Sequence, residues 1–258
     1  MFGAEYDLLL KRKIQEEIQQ GERPRYLYRY CSLDERLQKS LAESYLWFSN
    51  LLDFNDPYEG KMSHPERYSD CDIWSFANDR FSHPQSAKPL VDASHEERVN
   101  ILNEATCVML HETKVCCFSE VPDNILMWSH YAKSHTGVCL KFDLTVPCDT
   151  FDFPLKVIYQ KHYMMCNIFQ DVEETIQQLI QTKSDLWSYE QEVRIVKIHE
   201  TANKIQFPND ALVGVIFGCR TDSAKKRLLM NLLGMNKQYA HCVVDEKEYK
   251  LNIEQVAS

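Results

Sequence analysis

The order in which extended and helical segments follow one another constrains this 258-residue chain more than any single motif. Runs rich in aromatic and β-branched residues recur from Tyr26 to Val244, and helix-like runs are fewer and fall irregularly between them. The pattern predicts strands over residues 26 to 31, 45 to 49, 114 to 119, 138 to 142, 156 to 159, 192 to 198, 212 to 217 and 241 to 244. An amphipathic helix is expected over the first 20 residues, with Leu8, Leu9, Ile14 and Ile18 at helical spacing. Ser32 with Glu35 reads as a capping box opening a helix to about Ala42, and further helices are expected at 94 to 111, 124 to 133, 172 to 182 and 223 to 233. Asn55-Asp56-Pro57 with Tyr58-Glu59-Gly60 marks a turn, either structural or a ligand loop, and the stretch from Asn55 to Ser94 reads as loops and short helices. Hairpin-like neighbours mixed with helical excursions imply an α+β fold: one domain over residues 26 to 250, with a mixed, mostly antiparallel sheet core flanked by helices, preceded by a helical segment over residues 1 to 25. Seven glycines and no Gly-x-Gly-x-x-Gly argue against a doubly wound dinucleotide fold.

Charge and cysteine usage narrow the function classes. The formal charge of -9 disfavours indiscriminate binding to phosphate backbones or anionic membranes. Ten cysteines are scattered without a Cys-x-x-Cys pair or a leading signal peptide, which predicts reduced thiols in the cytoplasm. Cys116 and Cys117 are expected on opposite faces of a strand as small core residues, and no zinc site is predicted. The longest apolar run, Ala211 to Phe217, is far short of the roughly 20 residues that a spanning helix needs.

Trp187-Ser188-Tyr189-Glu190-Gln191-Glu192-Val193-Arg194 sets two carboxylates two residues apart at the mouth of an apolar strand. Strand alternation would put Glu190, Glu192 and Arg194 on one face, either as a paired-carboxylate site or as a solvated edge with an ordinary Glu192–Arg194 surface pair. Arg29, between Tyr28 and Tyr30, is a phosphate or carboxylate clamp or else a structural ion pair. Ser119 lines a cleft or caps the turn at Pro122. Trp128, His130, Tyr131 and His135 form the densest polar-aromatic cluster; their spacing is poor for metal ligation, leaving a core cluster or a pocket wall with His130 as acid, base or donor. No Gly-x-Ser-x-Gly, phosphate loop or His-Glu-x-x-His is present.

Two resemblances rest on these residues. In order, Leu27-Tyr28-Arg29-Tyr30, Leu46-Trp47-Phe48-Ser49, Phe54 to Glu59, Val115 to Glu120, Met127 to Tyr131, Gly137 to Asp143, Trp187 to Arg194 and Val215 to Gly218 resemble the bacterial family called domain of unknown function 2971, some members of which are linked to phage defence. The similarity spans roughly residues 26 to 220. A second resemblance, to ADP-ribosyltransferases of the Arg-Ser-Glu type, implies an ADP-ribosyltransferase-like fold with NAD as substrate and no metal. It would make Arg29 the holder of the NAD phosphates or ribose, Ser119 a support of the nicotinamide ribose, Glu192 the catalytic glutamate, and Glu190 the group that activates the acceptor. Tyr28, Tyr30, Trp128, His130 and Tyr131 would border the dinucleotide, with aromatic rings stacking on nicotinamide. The middle motif departs from the family, being Phe-Ser-Glu where those enzymes often have Ser-Thr-Ser.

The resulting expectation is an NAD-dependent ADP-ribosyltransferase or NAD glycohydrolase, a phage-defence or toxin effector acting on an unknown protein or nucleic-acid acceptor, with a neutralising partner protein. Two readings compete with it. One is a hydrolase of nucleic acid or another phosphoester using His130 and Arg29. The other is a non-catalytic nucleotide-sensing or interaction module.

Overall fold

A computed structural model describes residues 12–256 except 14, 152 and 153. Leu8, Leu9 and Ile14 of the expected N-terminal helix lie outside the described residues; residues 15–19 are helical, and Ile18 packs against the main core. The architecture is α+β, built on a nine-stranded, mixed but mostly antiparallel sheet. Its strands are β1 (Tyr26–Cys31), β3 (Ser49–Asn50), β4 (Thr113–Ser119), β5 (Val138–Asp143), β6 (Pro154–Lys156), β9 (Glu192–Ile198), β11 (Leu212–Phe217), β12 (Gln238–Val244) and β13 (Leu251–Gln255). Along the sheet the order is β13-β12-β11-β5-β1-β4-β9-β6, with β3 joined to β4. Among the described residues only β11 and β12 run parallel within it. Two small pairs flank it: β2 (Tyr45–Trp47) with β10 (Lys204–Gln206), antiparallel, and β7 (Ile158–Gln160) with β8 (Thr182–Ser184), parallel.

Strand alternation divides the core. Leu27, Phe118, Phe142 and Ile195 face one side, where they meet Phe48, Phe207 and Leu229. The opposite face is covered in two patches. Tyr30, Cys139 and Ile216 pack on Met127 and Trp128. Val115 and Val196 pack on Leu110, Ile176, Leu179 and Ile180 from helices His95–His111 and Val172–Gln181. Each buried Val, Leu, Ile, Phe or Met among them contributes roughly 1.5–3 kcal/mol on leaving water. Cys116 is buried in the first cluster and Cys117 packs against the third, so the adjacent thiols do point to opposite faces.

Several boundaries differ from the sequence pattern for local reasons. The helix after β1 spans Glu35–Ala42 and its N-cap is Asp34, whose carboxylate accepts from Leu37 N at 2.9 Å; Ser32 is not the cap. The capping box of Ser94 with Glu97 forms as expected. The segment after Asn55 holds a regular helix, Asp70–Arg80. The expected strand from 156 to 159 divides into β6 and β7, which belong to different sheets; between them Val157 N donates to the Glu192 carbonyl. The expected helix from 124 to 133 is only Ile125–His130, and Lys133, Ser134 and His135 all take left-handed backbone angles. β8, β10 and β13 are strands that the pattern did not reveal, and β13 lies beyond the expected boundary at residue 250. Among the described residues no helix is long and apolar enough to cross a membrane.

Candidate functional site

β1 and β4 share a single register position, Tyr28 opposite Ser119, and beyond it the two strands are not paired. A cleft of about 510 Å³ opens there. Residues directly opposite share a face, so Tyr28, Tyr30, Ser119, Glu192 and Arg194 lie on one side of the sheet. Arg29, the neighbour of both tyrosines, leaves on the other side. Its guanidinium spans the split, donating to the Cys117 carbonyl at 3.1 Å and contacting the Cys116 thiol, and it borders the cleft.

The cleft floor is a buried ion cluster. Lys183 of β8 donates to Glu190 at 2.6 Å and to Glu192 at 3.0 Å, and lies 3.7 Å from Glu59. Arg194 of β9 donates through Nε to Glu192 at 2.8 Å, and through Nη1 and Nη2 to the two oxygens of Glu59 at 3.0 and 2.7 Å. With further bonds from Nη1 to the Ile180 carbonyl and from Nη2 to Glu192, all five of its N–H groups are engaged. These five side chains are between 0% and 5% exposed. The Glu192–Arg194 pair is therefore no surface pair. A buried arrangement of this kind holds only when each charge is answered by another.

Glu190 reaches the cluster by a route other than strand alternation. It ends a turn of 3-10 helix, Asp185–Glu190, and Gln191 (φ 42°, ψ 53°) then kinks the chain before β9 begins at Glu192. The end of β4 pins this kink: the Ser119 hydroxyl donates to the Glu190 carbonyl at 2.6 Å and Glu120 N donates to the Gln191 carbonyl at 3.0 Å. Ser119 is fully buried and its oxygen also accepts from Val121 N at 3.2 Å, so the hydroxyl brackets the backbone.

Among the aromatic residues, Tyr131 makes the direct contact, its hydroxyl donating to Glu190 at 2.6 Å. His130 Nδ1 lies 3.0 Å from the Tyr189 hydroxyl at the same rim. Tyr28, Trp47, Phe54 and Asn55 also border the cleft. Tyr30 borders it with its ring while its hydroxyl donates to the Val121 carbonyl at 2.8 Å. Trp128 is fully buried beneath Tyr30, ring centroids 5.3 Å apart, with its indole N–H on the Pro122 carbonyl. It supports the wall from behind and does not line it.

The two neighbouring carboxylates differ electrostatically. Burial lifts the Glu190 carboxyl above the ordinary glutamate range, against the pull of Lys183 and Tyr131. Burial acts on Glu192 as well, but Arg194 and Lys183 outweigh it and hold that carboxyl at about 2. Burial also lifts Glu59, opposed by Arg194 and Lys183. Environments that push paired carboxyls apart suit one to stay ionised and the other to exchange a proton.

Lys183 and Glu59 complete the site and were not among the sequence candidates. Glu59 stands in the Asn55 to Gly60 turn that the sequence marks strongly, but nothing local indicates that its carboxylate is buried. Among the described residues no three His, Cys, Asp or Glu side chains are placed to hold a metal ion. Neither a curated protein nor a solved structure matches the chain. A family model described as protein of unknown function (DUF2971) matches residues 127–195, a stretch that carries Tyr131, Lys183, Glu190, Glu192 and Arg194 and so most of the cleft floor.

Proposed function

We propose that the chain cleaves the bond between nicotinamide and ribose in NAD and passes the ADP-ribosyl group to a macromolecular acceptor or to water. The observation that carries this reading is the pair Glu190 and Glu192, bridged by one ammonium at 2.6 and 3.0 Å on the floor of a cleft bordered by aromatic rings. As the C1′–N bond breaks, its electron pair leaves with nicotinamide and the ribose becomes oxocarbenium-like. An ionised carboxylate beside the ribose favours that charge, and Glu192 is the carboxyl held in its ionised form. The acceptor's oxygen or nitrogen then bonds to C1′, and its proton passes to Glu190, whose raised proton affinity suits a base. Tyr131 holds that carboxylate by its hydroxyl. Arg29, which borders the cleft, offers a cation to the diphosphate.

The proposal includes an ADP-ribosyltransferase-like arrangement of the sheet. Its support is that an early-strand arginine, a middle-strand serine and a later-strand glutamate border one cleft. A toxic or phage-defence role in the bacterial cytoplasm, with a neutralising partner protein, belongs to the same proposal.

The test is release of free nicotinamide from NAD, with water alone and with cellular protein and nucleic acid as acceptors. Release should fall about a thousandfold in Glu192→Gln. No release under any of these conditions, or full release by that variant, would overturn the reading.

A further inference from the structure

The cluster contains three carboxylates, Glu59, Glu190 and Glu192, and two cations, Lys183 and Arg194. Fully ionised it would hold one uncompensated negative charge in a nearly water-free place. Such a charge is costly, so it raises the proton affinity of one carboxyl, which stays ionised until the reaction delivers a proton to it. Hydrogen bonding decides which carboxyl takes the proton. Glu192 is bonded to both cations. Glu59 receives both terminal nitrogens of Arg194 in a two-bond fork. Glu190 has Lys183 alone, shared with Glu192, and one neutral donor, Tyr131.

We propose that Glu59, by occupying both terminal nitrogens of Arg194, makes Glu190 the proton-accepting carboxylate of this site. Glu59 is thus a positioning residue that acts on Glu190 from a turn far upstream in the chain. That turn is shaped to deliver it. Asp56 accepts from Tyr58 N at 2.9 Å, Glu59 N donates to the Asp56 carbonyl at 3.2 Å, and Gly60 follows at φ +67°. The other groups facing Glu190 are Tyr189 of its own turn and Tyr159 of β7, both hydroxyls; Tyr159 accepts from Glu192 N at 2.8 Å. Neither adds a charge near neutrality. Removing the Glu59 charge leaves two carboxylates to two cations, and Glu190 then has no excess charge to relieve.

This inference rests on the assignment of Glu190 as base, and it is tested on the protein without substrate. The carboxyl carbons of the three glutamates are titrated by carbon-13 NMR in the full chain. In the wild type Glu190 should have the highest midpoint of the three. In Glu59→Gln the Glu190 midpoint should fall by about one pH unit or more, and Glu59→Asp should return it toward the wild-type value. A wild-type titration in which Glu59 protonates before Glu190 overturns the proposal, whether or not Glu59→Gln folds. So does an unmoved Glu190 midpoint in a natively folded Glu59→Gln. Nicotinamide release does not enter the measurement, so the two readings can fail separately.

Discussion

The Lys183 ammonium stands 2.6 Å from the Glu190 carboxylate, with the two side chains 5% and 4% exposed. Lys183 comes from a three-residue strand and Glu190 from the end of the following 3-10 turn, so a short piece of chain folds back to bring the pair together. The same ammonium serves Glu192, and its ring neighbour is Trp187, 5.0 Å away. Charges so well shielded from water respond to each other more than to salt.

Removing that cation leaves Glu190 with a tyrosine hydroxyl and Glu192 with Arg194 alone. Lys183→Met keeps the unbranched apolar stem without the ammonium and should destabilise the fold by about 3–5 kcal/mol at pH 7, the usual cost of orphaning a buried charge. The loss should shrink at acid pH, where the unpaired carboxyl takes a proton. Urea unfolding at pH 7 and pH 5 measures both. A loss below about 1 kcal/mol at pH 7 would mean that the pair is hydrated.

Acid stability follows from Glu192. Its folded-state carboxyl is held at about 2, below the ordinary value of 4.5, so its stabilisation is present above the unfolded value and is lost as pH falls toward about 2. Glu59 and Glu190 are raised and act in the opposite sense: their contribution is complete below the ordinary value and lost as pH rises through their folded values. The wild type should therefore lose stability between about pH 4.5 and 2. Glu192→Gln should be less stable at neutral pH and show a flatter profile in that window. Thermal unfolding followed from pH 2 to 7 decides, and an unchanged slope in the variant would remove Glu192 as the source.

Tyr131 stabilises the ionised form of Glu190 by donating to it. Tyr131→Phe should raise the Glu190 midpoint by roughly one pH unit, since a hydrogen bond to a charged group contributes about 1.5–3 kcal/mol. The shift is opposite in sign to the one expected for Glu59→Gln. Carbon-13 titration of Glu190 in the two variants therefore checks both the donor and the direction, and a fall in Tyr131→Phe contradicts the geometry.

How much of this could be read from the residues depended on sequence distance. The sheet strands with strong apolar or aromatic runs, β1, β4, β5, β9 and β11, declare themselves because burial needs those side chains. β8 and β10 are three-residue polar strands held by partners rather than by their own composition, and they were invisible. Lys183 was lost with β8. The closeness of Glu192 and Arg194 follows from strand alternation, whereas Glu190 needed the left-handed kink at Gln191, for which the sequence offers no glycine or asparagine. Glu59 stands in a turn that the sequence marks as structural or ligand-holding, but the burial of its carboxylate has no local signal, since its partner Arg194 lies on β9. Arg29 lies on the face opposite the tyrosines that flank it, as strand alternation in Tyr28-Arg29-Tyr30 implies.

Ser119 provides the last prediction, because its two interpretations give different results. Its buried hydroxyl donates to the Glu190 carbonyl and accepts from Val121 N, so Ser119→Ala leaves two backbone groups without a partner. The cost should be about 1–3 kcal/mol. The carbonyl is that of the residue bearing the proposed base, so loosening it should also let the Glu190 carboxylate drift from Lys183 and Tyr131. Nicotinamide release by Ser119→Ala should then fall mainly in kcat, with the KM for NAD little changed, and Ser119→Thr, which keeps the hydroxyl, should recover part of the loss. A rise in KM alone, with stability unaltered, would instead place the hydroxyl on the substrate ribose and not on the backbone.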